Sequence, residues 1–140
     1  MEEAKGILVD TNILISKKIK VLLSLDKPLY ITPIVLLEYL KWVIESRNRA
    51  LSQGNIERAK GYKKLIKLFP ELLKQLNINL IEQDVNANDI NEVISLILER
   101  SVDPGDAINA ITAKRNKLMI ITGDKDWLRL KDYVVDVLLT

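Results

Sequence analysis

A short, uniformly apolar run that ends in an acidic residue constrains the fold of this chain more than any other feature. Ile7, Leu8 and Val9 lead directly into Asp10, and a helix-like spacing of apolar residues begins immediately afterwards. Such a run is typical of a strand that is buried on both faces of a parallel sheet. Ligand sites in open parallel sheets lie at the carboxyl ends of the strands. We therefore expect Asp10 to lie at the edge of the sheet where a site would form.

The rest of the chain alternates between short apolar runs and segments with helical periodicity. Further strands are predicted at residues 29–31, 78–81, 118–121 and 133–137. Helices are predicted at residues 15–25, from Pro33 to about Ser52, from Asn55 to Leu76 with a kink or a break at Pro70, after an Asn86–Asp89 capping box, from Asp103 onward, and around Trp127. This alternation predicts a three-layer α/β fold with a mainly parallel sheet. The length predicts a single domain over residues 1–140.

The composition removes several classes of chemistry. The sequence contains no cysteine and no histidine, which excludes disulfides, thiolate and histidine catalysis, and most zinc sites. Hydrolytic chemistry would have to use carboxylates, lysine, hydroxyls or a hard metal ion. No apolar run approaches the ~18–20 residues that span a bilayer and no signal peptide is recognisable, so we expect a cytoplasmic protein with no membrane partner.

Four acidic residues follow strands in this scheme. Asp10 ends the first strand, Glu38 lies little more than a turn into the helix after the second, Asp106 opens the fifth helix, and Asp124 follows the fourth strand. All four should gather at one edge of a parallel sheet, where their mutual repulsion calls for protons or a cation. Oxygen ligands favour Mg²⁺ or Mn²⁺. A metal ion held there could activate water, so phosphodiester hydrolysis is the natural reaction.

Each acid also has a simpler explanation. Asp10 is a favoured helix N-cap, Asp106 fits the third position of a capping box, Glu38 could be an exposed helical residue and Asp124 a turn residue. These separate explanations do not predict that all four acids share one edge of the sheet.

The motifs that carry these acids resemble those of the PIN domain. Asp10-Thr11-Asn12 after an apolar strand, followed by Thr32-Pro33 and Glu38, is similar to the first half of that family's pattern. Residues 103–107 (DPGDA) and 121–127 (ITGDKDW) are similar to the second half. The resemblance covers essentially the whole chain, and the chain length suits the VapC-type toxin ribonucleases.

The resemblance implies a PIN-like fold with a five-stranded sheet in the order 3-2-1-4-5 and RNA cleavage that depends on Mg²⁺ or Mn²⁺. It implies that Asp10, Glu38, Asp106 and Asp124 bind the metal, and it also implies a homodimer and a small antitoxin partner. The polar residues Thr11, Asn12 and Thr122 would orient ligands or water. Asp126 would be a fifth ligand, a supporting group, or the cap of the last short helix.

Two further features leave alternatives open. Between Lys41 and Lys67 eight basic residues accompany only two acids, which suits an RNA backbone but also an ordinary solvated helix surface. The apolar stripe from Tyr62 to Leu76 is mostly core, and any excess would offer a groove for a partner helix or a second copy of the chain. Other functional readings are a PIN-fold RNA-processing nuclease that is not a toxin, a non-catalytic RNA- or protein-binding module, and, last, an aspartyl phosphatase.

Overall fold

The computed structural model describes residues 3–140 as a five-stranded sheet covered by helices on both faces. The strands are β1 (Gly6–Val9), β2 (Leu29–Ile31), β3 (Ile78–Leu80), β4 (Leu118–Thr122) and β5 (Val137–Leu139). The α-helices are α1 (Thr11–Leu14), α2 (Pro33–Ser52), α3 (Ile56–Gln75), α4 (Ile90–Arg100) and α5 (Pro104–Arg115). Three 3₁₀ segments, Lys17–Ser24, Ala87–Asp89 and Lys125–Leu130, complete the chain.

All strand pairs are parallel and the strand order is 3-2-1-4-5, as the sequence and the resemblance predict. The central strand β1 pairs with both β2 and β4. Its last residue, Val9, is in register with Ile121 of β4. The residues that leave these two strands are therefore placed side by side at one edge of the sheet.

Alternation along β1 divides the core into two layers. Ile7 and Val9 point toward α2 and α3, whereas Leu8 points toward α4 and α5. The helix α5 packs close to the sheet because Ala107, Ala110 and Ala113 line its fully buried side. Since both faces of β1 are covered, an uninterrupted apolar run is what the fold requires there.

The long helices α2 and α3 form a hairpin held by aromatic contacts. Thr32 caps α2 by accepting a hydrogen bond from the Val35 amide, and Pro33 occupies the first helical turn. The Tyr39 and Phe69 rings stack with centroids 4.0 Å apart, and Trp42 meets Tyr62 edge to face at 5.9 Å. None of the helices in the described chain is long and apolar enough to cross a membrane.

Two sequence predictions about the elements are wrong, and of the two alternatives at Pro70 the break is excluded. The helix predicted at residues 15–25 is instead the single turn α1 followed by a 3₁₀ helix, because the Ser16 hydroxyl caps the Lys18 amide and starts a new segment. Pro70 does not break α3, which is continuous from Ile56 to Gln75. Phe69, stacked on Tyr39, holds the helix against α2 at the point where the proline removes one backbone donor.

The last strand starts four residues later than predicted, at Val137 instead of residue 133. The amides of Tyr133 and Val134 turn back to the Leu130 carbonyl, and the Tyr133 hydroxyl donates to Glu92 on α4. These contacts hold residues 133–134 in a turn, so that Val137 becomes the residue that pairs with Ile120. The apolar pattern alone does not distinguish this turn from a strand.

The predicted Asn86–Asp89 capping box is present and joins α4 to α5. Asn86 donates its amide proton to Asp89 Oδ2 at 2.9 Å. Arg115, in the last turn of α5, donates to both carboxylate oxygens of Asp89, whose side chain is 8% exposed. These contacts lower the pKa of Asp89 to about 2, with the Arg115 hydrogen bonds as the main cause.

We predict that Asp89→Asn lowers the free energy of unfolding at neutral pH. Because the folded-state pKa of Asp89 is below that of the unfolded chain, its stabilising contribution is present above about pH 4 and is lost as the pH falls toward 2. Urea unfolding at pH 7 and at pH 3 should therefore show the difference from wild type shrinking in acid. Asp26→Asn, at an exposed site, is the control, and an equal effect of both variants would contradict the prediction.

Candidate functional site

Asp10 lies where β1 ends and is the most buried of the predicted site acids, at 8% exposed. Its Oδ1 accepts a hydrogen bond from the Thr11 amide at 2.9 Å. Its Oδ2 accepts from the Asn12 side-chain amide at 3.0 Å and from the Thr122 hydroxyl at 2.7 Å. Burial raises the pKa of Asp10, whereas the hydrogen bonds from Thr122 and Thr11 act to lower it. The buried indole N–H of Trp127 also acts to lower this pKa, although it is outside hydrogen-bond geometry.

Thr122 and Asn12 connect the ends of β1 and β4. The Thr122 hydroxyl, fully buried, accepts from the Asn12 amide at 3.2 Å and from the Asp124 main-chain amide at 3.0 Å. Asn12 Oδ1 accepts from the Gly123 amide at 2.8 Å. Thr122 and Asn12 therefore hold Asp10 and the segment that carries Asp124 in a fixed relation.

Glu38 reaches the same edge from α2. Its Oε1 accepts a hydrogen bond from the Thr11 hydroxyl at 3.2 Å, which joins it to the residue after Asp10. Burial raises the pKa of Glu38, and the carboxylates of Asp10 and Asp103 raise it further. Thr11 thus contacts both acids, through its amide and through its hydroxyl.

Asp106 is the acid on which the other carboxylates of this edge act electrostatically. It lies in the first turn of α5. Burial raises the pKa of Asp106 to about 8, with further contributions in the same direction from Asp10, Asp103, Glu38 and Asp124. Asp106 therefore lies within electrostatic reach of the other three predicted carboxylates and of Asp103.

The family model described as "PIN domain" matches residues 7–133. This chain belongs to the PIN domain family. Members of that family are in general nucleases. A comparison with curated proteins gave no match.

Solved structures share the fold at low sequence identity. PAE2754 from Pyrobaculum aerophilum is 19% identical with a TM-score of 0.61, covering 95% of this chain and 87% of that one. VapBC2 from Rickettsia felis, bound to a DNA fragment from their promoter, is 16% identical with a TM-score of 0.60 and 96% coverage of both chains. A toxin–antitoxin complex from Klebsiella pneumoniae is 21% identical with a TM-score of 0.53, covering 87% of this chain and 90% of that one.

The acids of this PIN domain fit a hard cation by their chemistry. All the donors are carboxylate oxygens, which suit Mg²⁺ or Mn²⁺, and a cation would offset the repulsion that raises the pKa of Asp106. Within residues 3–140, however, no three such side chains form a group already arranged to hold a metal ion. Both oxygens of Asp10 accept hydrogen bonds from protein donors. The donor types fit the metal, and the ligand set stays a prediction.

Asp126 lies on the 3₁₀ helix that follows β4. Its side chain is exposed and pairs with Arg129 at 3.4 Å, one turn along the same 3₁₀ helix. The cap of that helix is Asp124, whose Oδ1 accepts from the Asp126 amide at 2.9 Å. The prediction that Asp126 is the helix cap is therefore wrong, and its role as a ligand or supporting group stays a prediction.

Two residues near the site were not identified from the sequence. The sequence predicts Asp103 as the start of α5 and as part of the motif at residues 103–107, but not as a site acid; in the structure it caps the Gly105 amide at 3.0 Å. A cap residue and an acid in the first turn share the same helix end, which is the signal that could have placed Asp103 near Asp106. The sequence places Trp127 on a short helix and at the end of the motif at residues 121–127, and nothing in the sequence indicates that it lies near Asp10.

We predict that Asp106→Asn stabilises the metal-free protein at high pH. The folded-state pKa of Asp106, about 8, is above its unfolded value of 3.8. The folded state therefore binds the extra proton between these values, and stability falls as the pH rises from about 4 through 8. Thermal unfolding in EDTA should give the variant a higher Tm than wild type at pH 8 and little advantage at pH 4. A lower Tm of the variant at pH 8 would contradict this electrostatic description.

Proposed function

We propose that this PIN domain is a metal-dependent endoribonuclease that hydrolyses RNA phosphodiester bonds. The observation that carries the proposal is that four other carboxylates lie within electrostatic reach of Asp106 and, added to its burial, raise its pKa. Buried like charges destabilise a fold, so their collection at the carboxyl edge of the sheet favours a functional reason. A chain without histidine or cysteine has carboxylates as its natural hydrolytic groups.

In this proposal Asp10, Glu38, Asp106 and Asp124 hold Mg²⁺ or Mn²⁺, which would polarise the phosphate and lower the pKa of a bound water. Thr11, Asn12 and Thr122 orient the carboxylates, because each of them hydrogen-bonds to Asp10, and Thr11 also to Glu38. Water attacks phosphorus in line, the bond to the 3′ oxygen breaks, and the products carry a 5′-phosphate and a 3′-hydroxyl.

The surface of the α2–α3 hairpin supports a polyanionic substrate. Its basic side chains are mostly exposed, and among the described ion pairs only Lys60 has an acidic partner there, Glu57 at 3.4 Å. A basic surface on the same molecule would offset the repulsion between RNA and the acidic site. This supports the substrate class and leaves the RNA sequence open.

Replacement of Asp10 tests the catalytic assignment. Asp10→Asn keeps the size of the side chain and removes its charge, so we expect Mn²⁺-dependent cleavage of a single-stranded RNA pool to fall by about 100-fold or more, the scale of losing a principal charge-stabilising group. Glu45→Gln, an exposed acid on α2, is the matched control and should cleave normally. Equal cleavage by Asp10→Asn and wild type would rule out the proposed role, and no cleavage by wild type would rule out the activity.

We further propose that the chain is the toxin of a toxin–antitoxin pair. The Klebsiella structure is a toxin–antitoxin complex and shares this fold. A groove of about 260 Å³ between α2 and α3 is lined mainly by apolar side chains, among them Tyr39, Leu65 and Phe69. Leu68, which also lines it, is 60% exposed. An apolar groove beside a helix hairpin suits an amphipathic partner helix.

A substitution in the groove tests whether an antitoxin binds there. Leu68→Glu places a charge in the groove and should abolish co-purification with the product of the adjacent reading frame, while RNA cleavage is retained. Leu23→Glu, at a leucine 74% exposed on the 3₁₀ segment, is the control. If the product of the adjacent reading frame binds both variants equally, the groove is not the antitoxin-binding site.

The homodimer and the cytoplasmic location stay predictions. A row of exposed apolar residues on α4 is the surface available for a second copy: Ile90 at 57%, Ile94 at 47% and Leu98 at 74% exposed.

A further inference from the structure

Lys18 is a basic side chain that the fold brings to the acidic edge of the sheet. It lies on the 3₁₀ helix that follows α1, and its Nζ donates to the main-chain oxygen of Thr140 at 2.8 Å. The Thr140 amide in turn donates to the Thr122 carbonyl at 2.9 Å. Thr122 is the residue whose hydroxyl binds Asp10. The Lys18 ammonium is therefore anchored beside the strand end that carries the site.

Gly123 gives a second, independent measure of where this ammonium lies. A Cβ at position 123 would be 2.7 Å from Lys18 Nζ and 3.4 Å from Asn12 Oδ1. Gly123 is not among the residues with positive φ, so the backbone does not require glycine there. The absent side chain leaves the space that the ammonium occupies, next to the main chain between Thr122 and Asp124.

The side chain of Lys18 is exposed, so its ammonium is accessible to a ligand. A lysine ammonium has three N–H donors, and the Thr140 oxygen takes one of them. Within residues 3–140, Lys18 forms no ion pair with an aspartate or glutamate side chain. The neighbouring acids repel a phosphodiester, so a cation fixed at their border would favour its approach.

We propose that Lys18 binds a phosphate oxygen of the RNA substrate at the border of the acid cluster. The inference rests on the proposed ribonuclease activity and adds a substrate-binding residue to it. Lys18 would contact this phosphate equally in the bound substrate and in the transition state. Loss of the contact should therefore raise KM and leave kcat nearly unchanged. The increase in KM should be about ten-fold, the scale of one charge-assisted hydrogen bond. It should also reduce the salt dependence of RNA binding by about 0.7 in the log–log slope, the value for one contact to a single strand.

Lys18→Met retains the length of the side chain and removes the charge. Its matched controls are Lys17→Met and Lys20→Met, at exposed lysines of the same 3₁₀ helix, and Lys18→Arg should restore most of the loss. KM and kcat are measured with Mn²⁺ and a single-stranded RNA. Binding of the same RNA is measured by fluorescence anisotropy at several salt concentrations, with every variant placed in an Asp10→Asn background so that no cleavage occurs.

Gly123→Ala tests the position of the ammonium without removing it. The added methyl group should displace Lys18 Nζ and raise KM in the same direction, and Lys18→Met/Gly123→Ala should bind RNA no worse than Lys18→Met. Additive losses in the double variant would show that the two residues act separately and would overturn the inference. If Lys18→Met lowers the Tm, its binding loss could come from unfolding, and the RNA binding of Lys18→Arg and Gly123→Ala then tests the role of Lys18.

The outcomes separate this inference from the proposed function. Lys18→Met with the same RNA affinity and salt slope as Lys17→Met overturns the role of Lys18 even if wild type cleaves RNA. Wild type that does not cleave RNA overturns the proposed activity, while the binding measurements still decide whether Lys18 contacts phosphate.

Discussion

The parallel pairing of β1 with β4 is the constraint on which the rest of the site depends. Because Val9 is level with Ile121, the next residues, Asp10 and Thr122, meet at one edge and share a 2.7 Å hydrogen bond. The helices that follow β2 and precede β4 carry Glu38 and Asp106 to the same edge. A shift of one residue in this register would turn the side chains to opposite faces of the sheet. The apolar core on both faces of β1 therefore fixes the position of the acids as well as the stability of the fold.

The collected carboxylates oppose folding, and the structure holds them with neutral donors rather than with cations. Thr11, Asn12 and Thr122 supply hydrogen bonds to Asp10, whereas Lys18, which the fold brings to this edge of the sheet, donates to a main-chain oxygen. A site neutralised by its own lysines would have little need of an external ion. In this site the negative charges of the carboxylates are only partly neutralised, and the pKa of Asp106 is raised to about 8. The site therefore keeps an electrostatic driving force for binding a cation.

The sequence predicts the parts of this structure that depend on local patterns. The apolar run before Asp10, the Thr32-Pro33 start of α2 and the Asn86–Asp89 capping box are all observed, since each depends on residues a few positions apart. The start of β5 was misplaced because contacts from Tyr133 to another helix decide it. For the same reason the sequence does not predict that Trp127 and Lys18 lie near the site: their partners, Asp10 and Thr140, are distant in sequence and come close only after the sheet has formed.

A calorimetric titration of metal-free wild type with Mn²⁺ at pH 7, repeated in buffers of different ionisation enthalpy, tests the central claim that these acids form one cation site. Asp106, with a pKa of about 8, is mostly protonated at that pH and must release its proton to bind a metal ion. The predicted result is binding that releases close to one proton per protein, and that release should be absent in Asp106→Asn. Mn²⁺ binding without proton release, or no binding at all, would contradict the assignment of these carboxylates to a common metal site.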